Sequence, residues 1–400
     1  MALKMEIKQV IDLFLKRYGG TQEGIRVFAS PGRVNLIGEH TDYNGGFVFP
    51  AALSMRSLIV LRPRKDEVIR LSATDLDVVV TADIHHLNDY RDLKWGNYQL
   101  GVAHELQQDG YELQGCDLLY DDTVPLGGGL SSSAAIQVAT ALALSTMADE
   151  KAGICREADM VYLAKLCQRS EHHYVGVKCG IMDQFASAMG KANKAIFLNC
   201  KTLEYELVPV CLEGYKIVLM NTNKKRSLAD SKYNERREEC ETGLAMLQKA
   251  LRGATCLGDI TLEQFNIHKE LISDPVVRKR VEHVITEDDR VLRSVEALKQ
   301  NDLATFGQLL VESHKSLRDL YEVTGIELDT LAEEAMTTDG CIGARMTGAG
   351  FGGCAVAIVR EDAVERFTKQ VGKAYFEKIG YAPTFYITDI GDGGREIKTF

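Results

Sequence analysis

Apolar side chains at Leu3, Ile7, Val10 and Phe14 recur with a helical period, so the chain reads as opening on an amphipathic helix. Residues 25–30 then read as a short strand, 32–46 as a polar glycine-rich stretch, and 47–53 as a renewed apolar run, with Asn44-Gly45 as a hairpin turn signal. Segments 56–64, 67–74 and 77–83 place β-branched residues between charged breaks, the pattern of a mainly antiparallel sheet. Residues 98–107 suit a helix, 116–124 a strand, and 130–147 an Ala/Leu-rich helix apolar on nearly every face, which predicts that it is buried. Further helices are expected over 158–174 and 182–189, and strands over 195–199, 206–210 and 216–221. From Leu228 to about Met336 the pattern is helical and highly charged, and strand-like runs at 343–359 and 384–388 then flank an amphipathic helix at 363–379. With no tandem repeat and no low-complexity linker, the expectation is an α+β chain of two lobes, 1–200 and 201–400.

Composition narrows the task. The chain has 400 residues, 45% of them apolar, enough for about two or three cores at about 150 residues per domain. Lys and Arg number 47 against 57 Asp and Glu, a net charge of −10 without long blocks of one sign, which argues against nucleic acid or an anionic membrane as the main partner. No apolar run is long enough to span a bilayer, and Lys4, Glu6 and Lys8 interrupt the first helix where a signal peptide would be apolar. Ten cysteines are too few for a disulfide scaffold and none forms Cys-x-x-Cys, so free thiols in the cytoplasm are the expectation.

Three segments carry candidate chemistry. Pro125-Leu126-Gly127-Gly128-Gly129-Leu130-Ser131-Ser132-Ser133-Ala134 runs from a strand end into the buried helix. Glycines there let backbone N–H groups approach an anion, the helix N-terminus adds free N–H groups and partial positive charge, and the hydroxyls add donors or a metal ligand. It is not a P-loop, because Gly-x-x-x-x-Gly-Lys-Ser/Thr occurs nowhere; a tight turn with a serine N-cap is the plainer reading. The second segment, 343–353, contains a formal Gly-x-Gly-x-x-Gly at Gly348, Gly350 and Gly353, but a dinucleotide-binding reading needs a helix to follow, and a strand is expected. It is either a glycine loop lying beside the first or a bulged hairpin. The third, from Pro31 to Asn44, crowds Glu39, His40 and Asp42 into four residues, giving acceptors and a switchable donor such as adjacent sugar hydroxyls require.

Taken together, Gly32-Arg33-Val34-Asn35-Leu36-Ile37-Gly38-Glu39-His40-Thr41-Asp42-Tyr43, the glycine-serine segment and Met346-Thr347-Gly348 resemble motifs of the GHMP small-molecule kinase family, and the first resembles the signature of its sugar kinases for galactose. Cys179-Gly180-Ile181-Met182-Asp183-Gln184 and Ser231-Lys232-Tyr233-Asn234-Glu235-Arg236-Arg237 fit the same resemblance, which spans nearly the whole chain. Ala349 departs from it, standing where many members have a second consecutive Gly; no positive φ is expected there. The resemblance implies a two-lobed α+β fold with the active site between the lobes, a left-handed β-α-β crossover, and ATP-dependent phosphorylation of the anomeric hydroxyl of α-galactose. It implies Asp183 as base beside Arg33, and sugar contacts from Glu39, His40, Thr41, Asp42, Asp183 and Tyr233. ATP phosphates fall to Gly127, Gly128, Gly129, Leu130, Ser131, Ser132 and Ser133, and Mg²⁺ to Ser133 and Glu171. A kinase for N-acetylgalactosamine, and a galactose and ATP sensor that engages a transcription regulator, are the alternatives.

Overall fold

A computed structural model describes residues 5–125, 127–224 and 229–398, and the side chains of 229–231 are also outside the description. Leu126 of the first glycine segment and Leu228, the expected start of the helical region, lie outside the described residues. The chain runs α1 (Ile7–Tyr18), β1 (Arg26–Asn35), β2 (Phe47–Val48), β3 (Pro50–Pro63), β4 (Val68–Ala73), β5 (Val80–Asp83), α2 (Asn97–Gln108), β6 (Cys116–Asp122), α3 (Ser132–Lys151), α4 (Met160–Ser170) and α5 (Met182–Met189). It continues through β7 (Lys194–Asn199), β8 (Tyr205–Pro209), β9 (Tyr215–Asn221), α6 (Ala229–Leu247), α7 (Leu262–His268), α8 (Pro275–Lys299), α9 (Leu303–Ser316) and α10 (Gly325–Thr337). It ends with β10 (Cys341–Thr347), β11 (Cys354–Arg360), α11 (Val364–Ile379), β12 (Thr384–Thr388) and β13 (Arg395–Ile397).

Strand alternation builds the N-terminal lobe. Val27 and Ala29 on β1, with Leu58 and Val60 on β3, face Val10 and Phe14 of α1, while Phe28, Ile59 and Leu61 face the core shared with α2 and α3. The sheet order is β13-β1-β3-β6-β4-β5; β4 and β6 are its parallel pair, joined through β5 and α2. The C-terminal lobe is an antiparallel sheet, β10-β11-β9-β12, with Val218 and Met220 of β9 and Ala355, Ala357 and Val359 of β11 against its helices. The opposite side chains of the same strands, Ile217, Leu219, Val356 and Ile358, join Val34, Phe49, Ala51, Val124 and Leu130 of the N-terminal lobe in a third core. That core welds the lobes together behind the cleft.

Three expectations change. The strand expected over 25–30 continues to Asn35 through a bulge at Pro31/Arg33, because Gly32 lies so close to the chain at Leu130 that a Cβ would stand 2.6 Å from its carbonyl oxygen. Asn44-Gly45 does not form a two-residue hairpin: residues 42–44 make a 3₁₀ turn closed by Gly45 at φ 68°, β2 pairs with β7, and β1 pairs with β3. The boundary expected at residue 200 falls inside the β7–β8 hairpin, and β13 returns to pair with β1, so the C-terminal segment completes the N-terminal sheet.

Candidate active site

The first glycine segment enters α3 through Gly127 and Gly129, both at positive φ, and through Ser131, whose φ of 60° and ψ of 48° are left-handed. Ser131 stands at the N-cap position but its side chain caps nothing; its hydroxyl donates instead to Asp183 Oδ2 at 2.5 Å. The plain serine-cap reading therefore falls, and the first turn of α3 keeps its backbone donors for a ligand. Asp183 itself sits in the first turn of α5. Arg33, delivered by the end of β1 and only 4% exposed, donates through Nε (2.9 Å) and ion-pairs through Nη2 (2.8 Å), both to Asp183 Oδ1, while its Nη1 donates to the Gly129 carbonyl at 2.6 Å. One guanidinium thus pins the carboxylate to the glycine loop. Ser131, Ser132, Ser133, Arg33, Asp183 and Ala349 line a cavity of about 700 Å³.

That cavity also exposes a wall the motifs did not announce. Trp95, Tyr98, Leu76 and Ile136 line it, an aromatic and aliphatic surface suited to a purine base. Their sequence signal was faint, because one Trp before a helix reads as core.

The second glycine segment forms the loop between β10 and β11 and follows no Rossmann pattern, since β11 succeeds it. Gly348 packs on the first loop, so closely that a Cβ would be 3.1 Å from the Gly129 carbonyl oxygen. Gly348, Gly350, Phe351, Gly352 and Gly353 have positive φ and Ala349 does not, so alanine is unstrained there.

The third segment gathers at the same place. Glu39 is 1% exposed; its Oε1 accepts from Thr347 Oγ1 (3.0 Å) and Gly348 N (2.8 Å) and lies 3.3 Å from Arg345 Nη2. His40 holds a left-handed φ of 62°, its Nδ1 2.9 Å from the Tyr43 hydroxyl and its ring packed among Tyr43, Tyr233 and Tyr321. Burial, with His283 and Arg236 nearby, pushes its pKa down to about 3, so this imidazole is neutral and not the switchable donor expected. Asp42 accepts from Tyr43 N at 2.9 Å, and burial together with the charge of Asp183 pushes its carboxyl up to about 7. Tyr233 on α6 lies near enough to Asp42, Tyr43 and Asp183 for their charges to raise its phenol well above the usual range, after burial as the main cause. Thr41 differs: it is fully buried and its hydroxyl faces the Gly38 and Phe47 carbonyls at 2.9 and 2.6 Å, which makes it a brace of the loop.

Similarity to known proteins follows the same geography. The galactokinase galactose-binding signature matches residues 12–63, the GHMP kinases N terminal domain 97–191, and the GHMP kinases C terminal domain 294–378. The galactokinase of Halalkalibacterium halodurans is 50% identical over 375 residues, 94% of this chain and 93% of that protein. The chain belongs to the galactokinase family. Galactokinase of Clostridium beijerinckii is 48% identical over 93% of the chain and 94% of its own length. The crystal structure of Lactococcus lactis galactokinase complexed with galactose superposes with a TM-score of 0.92 at 42% identity, over 98% of this chain and 100% of that one. Methanococcus jannaschii mevalonate kinase, at 19% identity and a TM-score of 0.66 over 93% of this chain and 100% of that one, shares the fold.

Within this galactokinase-family site, Glu171 is the other carboxylate the resemblance singled out. It lies in the π-turn that follows α4, 7% exposed, and its Oε2 accepts from Gln184 Nε2 at 2.6 Å. Burial and the negative charge of Asp183 push it up to about 7. A buried carboxylate whose pKa is raised by burial and by a neighbouring negative charge is a donor that a divalent cation would keep ionised. Among the described residues no three His, Cys, Asp or Glu side chains gather as a metal cage, and Mg²⁺, which retains water and phosphate oxygens, needs no such cage.

Proposed function

We propose that the chain transfers the γ-phosphoryl group of ATP to the anomeric hydroxyl of α-D-galactose, releasing ADP. The observation that carries this is the clamp Arg33–Asp183–Ser131, which lines the glycine-loop cavity, with Asp42 close enough to Asp183 for their charges to interact. The base of ATP lies against Trp95 and Tyr98, and its phosphates against Gly127–Ser133. The sugar is held by Glu39, His40, Asp42 and Tyr233. Asp183 receives the proton of the anomeric hydroxyl on Oδ2, the oxygen not held by Arg33, as the O1–P bond forms and the bond to the β–γ bridging oxygen breaks. Phosphoryl transfer asks little covalent chemistry of a protein, so fixed position and charge neutralisation carry the rate. Arg33 supplies both, orienting Asp183 and offering a fixed cation to the transferring group. Ser133 and Glu171 hold Mg²⁺, which when bound neutralises phosphate charge.

No helix among the described residues is long and apolar enough to cross a membrane, and ten free thiols support a cytoplasmic location. ADP release measured with Mg·ATP over galactose, N-acetylgalactosamine, arabinose, glucose and mevalonate tests the assignment. Galactose is expected to lead. Turnover of another member of the panel without galactose turnover overturns it.

A further inference from the structure

We propose that Glu287, a carboxylate of the C-terminal lobe, is a positioning residue that holds the sugar-contacting loop of the N-terminal lobe in its working shape. The inference rests on the assignment of Glu39 and His40 to the sugar.

The loop from Leu36 to Gly46 leaves the sheet, so its backbone N–H and C=O groups need partners elsewhere. Helix α8 supplies them from one buried face, with His283, Glu287, Asp288 and Arg290 all 8% exposed or less. Glu287 Oε1 accepts from the backbone N–H of Gly38 at 3.0 Å and of Glu39 at 3.3 Å, and from the Ser313 hydroxyl at 2.6 Å. Its Oε2 takes Arg290 Nε at 2.7 Å. One turn earlier, His283 Nε2 donates to the Glu39 carbonyl at 3.1 Å, and one residue later Asp288 accepts from Phe47 N at 2.7 Å. The helix is a template for the loop. Glu287 sits where the template matters most, because Gly38 and His40 both hold positive φ and His40 is not a residue that adopts it freely. Without an acceptor at Gly38 and Glu39, two buried N–H groups are orphaned and the loop relaxes, carrying the Glu39 carboxylate and the His40 ring off the sugar. The arrangement is also tied to the cleft: Ser313 receives Arg345 Nε at 3.2 Å, and Arg345 Nη1 donates to the Asn35 and Leu36 carbonyls at 2.9 and 3.0 Å.

The test uses the full chain and separate KM values for galactose and ATP, with melting temperatures alongside. Glu287→Ala is expected to raise the galactose KM by ~10- to 100-fold, the range of one or two lost buried hydrogen bonds, with the ATP KM within about threefold. Glu287→Gln keeps an acceptor oxygen for Gly38 and Glu39 but sets its amide NH₂ against Arg290 Nε, so it should recover the galactose KM in part, to a value between the Ala variant and wild type. Glu287→Asp keeps the charge beside Arg290 but shortens the reach, so it should fold and still raise the galactose KM; it decides the matter where the alanine variant fails to fold. A galactose KM within twofold of wild type in the Ala or Asp variant, an equal rise in both substrates' KM, or no recovery with Gln overturns the proposal. Glu39→Gln is the control for the underlying assignment: an unchanged galactose KM in that variant removes Glu39 from the sugar, whereas a raised KM there with an unchanged one in Glu287→Asp removes only the positioning role.

Discussion

Arg33→Lys isolates the clamp at the centre of the site. Arginine meets Asp183 Oδ1 with two nitrogens, at 2.9 and 2.8 Å, and the Gly129 carbonyl with a third, at 2.6 Å. A lysine ammonium is a single point on a flexible stem; it can keep the ion pair with Asp183 or reach Gly129, but it cannot bridge them in a plane. At least one charge-assisted hydrogen bond disappears and a second is weakened, each contributing about 1.5–3 kcal/mol. If that interaction is fully expressed in the transition state, kcat falls by ~10² to 10³, since each tenfold step corresponds to about 1.4 kcal/mol. The buried cation keeps a partner, so the melting temperature should move by only a few degrees, at about 2 °C per kcal/mol for a chain of this size. Initial rates of ADP release with galactose and ATP varied independently separate kcat from the two KM values, and a thermal melt controls for folding. A variant whose kcat holds while the ATP KM rises tenfold or more would refute the reasoning, because Arg33 would then be a ground-state nucleotide ligand.

Other perturbations probe the remaining parts. Asp42→Asn should raise the galactose KM at least about tenfold while the ATP KM and melting temperature change little, since one carboxyl oxygen facing the sugar is replaced by an amide donor. Gly180→Ala should copy that phenotype, because its Cβ would stand 1.7 Å from Asp42 Oδ2 and must displace the carboxylate; normal galactose KM in both variants would show that Asp42 only shapes its turn. Ser133→Ala and Glu171→Gln should each shift the Mg²⁺ concentration for half-maximal rate upward, and an unmoved Mg²⁺ titration in both removes them from the metal. Asp288 is raised to about 8 by burial, above its unfolded value, so the folded chain binds the extra proton and stability falls as pH climbs from about 4 toward 8, by up to ~1.4 kcal/mol per unit. Asp288→Asn cannot titrate, so its melting temperature should gain on wild type between about pH 5 and pH 8; parallel curves would contradict this.

Sequence pattern was sufficient for most of the fold, because each element's run of apolar positions, one-sided or continuous, matches how it is buried. The short continuous apolar runs of β9 and β11, the apolar surround of α3 and the strand after Gly353 were all legible, as local patterns that tertiary packing agreed with. The glycine-serine segment and the Glu39, His40, Asp42 cluster were legible too, since their residue types have few other uses in such density. What tertiary structure decided was partnership. Strand β1 runs on through Gly32 only because the chain at Leu130 comes within touching distance, and β13 joins the first sheet from the far end of the sequence. Helix α8 reads in sequence only as part of a helical, highly charged region, yet His283, Glu287, Asp288 and Arg290 are buried against a loop some 240 residues earlier. The same inversion applies to His40: as a lone residue it is a proton switch near neutral pH, and burial among tyrosines and beside cations fixes it neutral. A sequence window registers how polar a residue is; whether that polarity meets water or a distant backbone N–H depends on which segments fold together, and the desolvation that follows sets each group's charge and role.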